Sequence, residues 1–351
     1  GKSHHVYEID GSHGEGGGQL VRTAAALAAL TGRPLRLRNI RARRPKPGLA
    51  AQHLTAVRAV AALCNAEVSG LELDSKEFTF RPGVLHGGRF DFDVGTAGSM
   101  TLVLQAVLPA AAACRAPVHL RLTGGTDVKA APPLDYLRYI LLPLLARMGL
   151  TVTLTVQRRG YYPRGGGAIE VDVSPPEQLR PLHLPTCGPV QEIGGIAHVA
   201  NLPGHIAARM KQAALAKLHG LPNAHIDVRV LAQNSAIGQG GAIVLWARTP
   251  YTLLGAATTA ERGVPAEHLG ETAALALRAE ITAGATVDIH ASDQLLVYLA
   301  RAAGPSRFLA RSLSSHAETT LWLLQQFLPV RYTVTPTGQL VQIDIEPSTC
   351  G

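Results

Sequence analysis

Cysteine is scarce in this sequence. Its four cysteines, Cys64, Cys114, Cys187 and Cys350, form no CxxC pair and no Cys/His spacing of a zinc site, which excludes a disulfide framework and a structural zinc. Aromatic residues make up only 5% of the chain, so rows of stacked bases cannot dominate any nucleic-acid recognition, and phosphate contacts would have to carry it. No apolar run reads as a membrane span. The longest uncharged window, between Asp93 and Arg115, is mostly alanine and is broken by Gly95, Gly98, Ser99, Gln105 and Pro109, the pattern of a buried helix. No basic segment followed by an apolar stretch opens the sequence. The expectation is a cytoplasmic protein with no membrane partner.

What the sequence does contain is enough for a substantial core. Its 351 residues are 46% apolar and 17% charged, a composition that excludes disorder, and the length points to two domains. Thirty-three Lys and Arg against 25 Asp and Glu leave a net charge of +8, with a cluster at Arg36, Arg38, Arg41, Arg43, Arg44 and Lys46. A polyanionic partner follows from that balance.

Hydrophobic periodicity predicts a recurring unit of helix, strand, helix, strand, each first helix preceded by small residues. In the first copy Gly16, Gly17 and Gly18 lead into a helix over 19–30, then Leu35 and Leu37 alternate with Arg36 and Arg38 as a strand. Leu54, Val57, Ala61 and Cys64 mark its second helix. The second copy runs through a helix over 100–113, a strand over 118–122, a helix over 134–148 and a strand beginning at Val152. The third copy starts near Ser292, with a helix from Asp293, a strand near Phe308, a helix over 316–327 and two further strands. The gap before this copy is about a hundred residues longer than that before the second, which predicts an inserted domain. The fold class expected is α/β (α+β): a large domain of three βαβα-type units, residues 1–183 and 273–351, with a smaller inserted α/β domain over 184–272.

Three short stretches have the residue types that phosphate chemistry needs. Gly14-Glu15-Gly16-Gly17-Gly18-Gln19 precedes a helix and can serve either as a tight turn or as a close backbone approach to a phosphate. It lacks the Lys-Ser/Thr of a P-loop and the GxGxxG spacing of a dinucleotide fold. Glu15 there reads either as a first-turn carboxylate on the helix dipole or as a ligand to a divalent metal between it and the anion. Arg41, Arg43, Arg44 and Lys46 form a basic turn before Pro47-Gly48, with Gln52 and His53 opening the next helix; a solvated loop and an anion site both fit. Ser315 and Glu318 have the spacing of a capping box, which puts His316 in a first helical turn. The positive helix end favours neutral imidazole, whose free ring nitrogen can attack an electrophile such as phosphorus. A further string, Arg159-Gly160 with Pro163 and Gly165-Gly166-Gly167, suggests a close backbone crossing at a strand end.

Taken together these strings resemble the RNA 3'-terminal phosphate cyclases. The resemblance rests on Asp10-Gly11, the Gly14–Gln19 run, Arg22, Arg41 through Arg44, Lys46-Pro47-Gly48-Leu49 and Gln52-His53-Leu54-Thr55. It continues in Gly98-Ser99, Gln105, Gly124-Gly125-Thr126-Asp127, Arg159-Gly160, Asp293-Gln294 and His316, in order from Ile9 to Ile345. What the resemblance implies is a repeat domain with an insert, using ATP and a divalent metal, Mg or Mn. His316 would attack the α-phosphorus of ATP, and the AMP would pass to an RNA 3'-phosphate that cyclises with the neighbouring 2'-hydroxyl. By the same resemblance Gln105, His290, Ala291, Ser292, Asp293 and Gln294 would line the ATP site. Arg22, Arg41, Arg44, Gln52 and His53 would hold the RNA end, and Glu15 the metal. The chain departs from the family where His290 stands, a position at which many relatives carry tyrosine.

Two other readings share the architecture. A non-catalytic cyclase-like protein of ribosome assembly would dispense with the nucleophile, and His316 argues against it. An enolpyruvyl transferase would handle small phosphorylated acids, and the basic turn argues against that.

Overall fold

The computed structural model describes residues 6–14, 16–95 and 98–347. The first repeat consists of β1 (Tyr7–Asp10), α1 (Gly18–Thr31), β2 (Leu35–Arg38), α2 (Ala51–Cys64), β3 (Glu67–Ser69) and β4 (Phe78–Arg81). The second consists of β5 (Gly88–Asp93), α3 (Met100–Ala112), β6 (Val118–Gly124), α4 (Leu134–Tyr136), a π turn (Leu137–Leu141), α5 (Leu142–Arg147), β7 (Thr151–Arg158) and β8 (Gly167–Ser174). After β9 (His183–Leu184) come β10 (Glu192–Ala200), α6 (His205–Lys217), β11 (Ala224–Leu231), β12 (Gly240–Arg248), β13 (Leu253–Thr259) and α7 (Ala266–Ala283). The chain ends in α8 (Ile289–Leu299), β14 (Ser306–Ala310), α9 (Ser315–Phe327), β15 (Arg331–Thr337) and β16 (Leu340–Glu346).

Strand order makes the repetition visible. Among the described residues the sheets run β1-β2-β4-β3, β5-β6-β8-β7 and β9-β14-β16-β15, the same pattern three times. In each, the first two strands are parallel, with a helix immediately before the second, and the last two are antiparallel. The third sheet differs in its connection: its opening strand, β9, comes before the segment from β10 to α7 and pairs with β14, which comes after it. A two-residue strand among prolines carries no period for a sequence pattern to detect.

Helix α8 also begins at Ile289, four residues before the expected start at Asp293. Asp288 caps it, accepting from the backbone N–H groups of His290 and Ala291. The extra segment forms a fourth sheet, β11-β10-β12-β13, with α6 and α7 packed on it in a hydrophobic cluster of its own. The expected boundary at 272/273 falls within α7, and Ala273, Ala274 and Leu277 beyond it belong to this second cluster.

The larger cluster lies where the helices of the three repeats meet. Helix α1 is alanine-rich and buried over most of its surface, and small side chains let α2, α3 and α9 approach it closely. The uncharged window that precedes Arg115 supplies α3, only 13 residues long; among the described residues no helix is long and apolar enough to cross a membrane.

Buried polar groups join the second repeat to the added sheet. Arg159 pairs with Asp127 at 3.2 Å and Asp135 at 2.9 Å, and Tyr161 bonds His198 of β10 at 2.8 Å. Burial pushes the Asp127 carboxyl up, but the Arg159 and His198 charges and the Thr126 hydroxyl outweigh it and hold it below the usual carboxylate range. The Arg159-Gly160 string is therefore a structural crossing: a Cβ on Gly160 would stand 2.2 Å from the Gly124 carbonyl oxygen.

Candidate active site

The first helix of each repeat contributes to one cleft. Gln19 and Arg22 come from α1, Thr101 and Gln105 from α3, Asp293 and Gln294 from α8, and Thr320 from α9. Leu104, Leu108 and Val297 form its apolar wall. Bonds cross it: Gln19 Nε2 donates to Thr320 Oγ1 at 3.0 Å, and Arg22 Nη2 to Gln105 Oε1 at 3.5 Å. The latter joins a residue expected at the RNA end to one expected at ATP.

At one end of this cleft, α1 and α2 bring Arg22 and His53 together. His53 Nδ1 accepts from the backbone N–H of Ala50, which orients the ring in the first turn of α2. Gly18 permits the approach, since a Cβ there would lie 2.3 Å from His53 Nε2. Burial, then the positive charges of Arg22 and Arg41, push the His53 imidazole down to about 4. It is a neutral ring at physiological pH. Gln52 instead accepts from the Ser99 backbone N–H at 3.0 Å and so ties α2 to the start of α3. Arg41 turns back on its own loop, donating to the Gly48 carbonyl at 2.8 Å, and Arg44 is half-buried beside it.

Helix α9, which contributes Thr320 to the cleft, carries the half-buried His316 near Asp293. Its N-cap is Ser314, which accepts from the Ala317 N–H, and not Ser315, which is the first helical residue; His316 still lies in the first turn. The correction follows from backbone geometry, because Ser314 has the extended conformation a cap requires while Ser315 is already helical. The Ser314 hydroxyl also donates to Asp293 Oδ1 at 2.5 Å, fixing α9 against α8. Burial raises the Asp293 carboxyl above the usual range, against the lowering effects of Ser314 and of nearby His316 and His290.

The stretch expected at ATP divides. Asp293 and Gln294 line the cleft, whereas Ala291 and Ser292 are buried behind it and Ser292 bonds the Ile289 carbonyl. His290 is exposed, with its ring edge-on to Tyr136 at 6.2 Å. Successive residues of a helix point to different faces, which separates these side chains. Glu15 lies outside the described residues. Among those described, no group of three or more His, Cys, Asp or Glu side chains is arranged to hold a metal. Thr101 and Thr320 were not anticipated, and Gln19 only as the end of the glycine run; the available signal was a polar side chain on an otherwise apolar helix face.

Fold and cleft define an α/β protein of three repeats whose first helices converge on a polar site. The RNA 3'-terminal phosphate cyclase family profile matches residues 13–334, and this chain belongs to that family. It is 56% identical over 346 residues to the RNA 3'-terminal phosphate cyclase of Nitrosospira multiformis, covering 99% of this chain and 98% of that one. The protein of the same name from Methanopyrus kandleri is 43% identical over 97% of this chain and 99% of its own. A solved structure, the enolpyruvyl transferase NikO from Streptomyces tendae, is similar at a TM-score of 0.39 and 12% identity, covering 97% of this chain and 48% of that one.

Proposed function

We propose that this protein uses ATP to convert an RNA 3'-phosphate end to a 2',3'-cyclic phosphate. The observation that carries the reading is the placement of His316 in the capped first turn of α9, tied through Ser314 to Asp293 at a cleft that also holds Arg22 and Gln105. Membership of the cyclase family supports the substrate.

In the proposed sequence a ring nitrogen of His316 attacks the α-phosphorus of ATP. An N–P bond forms, the bond to the β-phosphate oxygen breaks, and pyrophosphate leaves. An oxygen of the RNA 3'-phosphate then takes the AMP, restoring the histidine. The adjacent 2'-oxygen attacks the 3'-phosphorus, loses its proton, and expels AMP. The phosphate monoester has no good leaving group until AMP supplies one, and cyclisation afterwards depends on positioning. Arg22, Arg44 and neutral His53 are assigned to the RNA phosphate, with Arg41 shaping the turn that holds them and Gln52 fixing α2. Gln105, Asp293 and Gln294 are assigned to ATP. Glu15 remains the residue proposed for a divalent metal, Mg or Mn, which would neutralise phosphate charge when bound. The segment from β10 to α7 is proposed as the inserted domain and the setting as cytoplasmic.

Incubation with ATP labelled in its α-phosphate tests the reading directly. Acid-labile AMP bound to the protein and mapped to His316 is the expected result. A protein that binds 3'-phosphorylated RNA but forms no adduct would be a non-catalytic relative.

A further inference from the structure

A second feature lies beside this site and none of the proposed steps uses it. His13 and Trp322 stack with ring centroids 3.6 Å apart and planes inclined by 11°. His13 is exposed and Trp322 half-buried, so the indole backs an imidazole that is open to solvent. The pair is held firmly for a surface contact. Arg43 Nη2 donates to the Ser12 carbonyl at 2.7 Å and also to the Gly14 carbonyl, bracketing His13 on both sides. On its other side the loop abuts α9, where a Cβ on Gly14 would lie 2.5 Å from Thr319 Oγ1.

Its surroundings indicate what it binds. Trp322 shares α9 with His316, and the His13 loop leads directly into α1, whose first residue, Gly18, packs on His53. Exposed Arg43, whose guanidinium bonds the backbone on both sides of His13, supplies positive charge next to the ring. A flat, solvent-facing ring backed by a second ring, next to a cation, suits a single-stranded nucleic-acid base: the base stacks while its phosphate meets the charge. Adenine of ATP is the other flat ligand available. The residues assigned to ATP, however, lie on α3 and α8, whereas the exposed ring comes from the loop before α1, held by Arg43 of the basic turn, with only its backing Trp322 on α9.

We propose that His13, backed by Trp322, is a stacking platform for one base of the RNA strand close to its 3'-phosphate. This rests on the proposed cyclase reading. It makes the site sensitive to the presence of a base, beyond recognition of the terminal phosphate.

The test compares the full-length protein with His13→Ala and His13→Phe in two assays, protein-AMP formation from labelled ATP and cyclisation of single-stranded RNA 3'-phosphates. His13→Ala is expected to raise KM for RNA about ten-fold, within the range for loss of one base stack, with adduct formation unchanged and His13→Phe close to the parent. Replacing one of the last three nucleotides by an abasic unit should weaken the parent by a similar factor and His13→Ala no further. Unchanged KM in His13→Ala, or equal abasic penalties in parent and variant, would overturn the platform while leaving the cyclase reading intact. A higher ATP requirement for adduct formation in His13→Ala would assign the ring to adenine and also overturn it. Absence of adduct in the parent would defeat the cyclase reading itself. Should His13→Ala fail to fold, His13→Phe and the abasic series on the parent still decide the matter.

Discussion

The hydroxyl of Ser314 serves two partners, accepting from the Ala317 backbone N–H at the start of α9 and donating to Asp293 of α8 at 2.5 Å. Because Asp293 lines the cleft and His316 lies two residues beyond Ser314, this one side chain sets the spacing between an ATP-site candidate and the candidate nucleophile. Replacing Ser314 by alanine should cost about 1 kcal/mol through the lost cap, seen as a lower melting temperature. It should also slow single-turnover adduct formation several-fold, since Asp293 loses its partner. Ser314→Thr, which keeps the hydroxyl, should recover most of both. A lower melting temperature with parental adduct kinetics would show the serine to be a cap alone.

His316→Asn is expected to abolish the protein-AMP adduct in a folded chain, because asparagine keeps a polar side chain of similar reach but has no nucleophilic ring nitrogen. RNA already carrying AMP on its 3'-phosphate should still be cyclised by the variant. Peptide mapping of AMP to another residue, such as His53 or Lys46, would remove His316 from the assignment.

Arg44→Ala should separate the half-reactions, weakening use of 3'-phosphorylated RNA by roughly ten-fold, the effect of losing one charge-assisted contact, while sparing the adduct. Arg41 is less informative, since its guanidinium holds the Gly48 carbonyl and its removal would also loosen the turn. Equal loss of both half-reactions in Arg44→Ala would move this residue to the nucleotide.

His53 makes a prediction about pH. Burial and the charges of Arg22 and Arg41 push its imidazole from the ordinary 6.5 to about 4. The unfolded chain therefore binds a proton below pH 6.5 that the folded chain refuses until about pH 4. The stabilisation is fully present above pH 6.5 and is lost as pH falls through that window, by roughly 3 kcal/mol at most. His53→Gln should flatten the fall of melting temperature between pH 6.5 and 4.5, and a parental slope in the variant would contradict the buried neutral ring.

Much of the site could be read from local patterns. The Gly16 to Gly18 run before an apolar helix, the basic turn at Arg41 to Lys46 and the Ser-Ser-His string are short-range features, and a helix start is set by the few residues around it. So the places of His316, Gln52 and His53 in first helical turns follow from sequence, as does the threefold recurrence of helix and strand.

Other features depended on long-range pairing. Strand β9 is two residues long and acquires meaning only through β14, more than a hundred residues later. That pairing sets the segment proposed as an insert between two neighbouring strands of the third sheet. Helix α7 joined the added sheet because its apolar face meets β12 and β13, a choice of packing partner that amphipathicity alone does not make. The same holds in the cleft: Gln19 meeting Thr320, Arg22 meeting Gln105, and His13 lying on Trp322 unite residues up to about three hundred positions apart. Periodicity along the chain determines which residues are helical and which face is apolar. Which faces meet is decided by the burial of the whole core, and only that brought these side chains to one place.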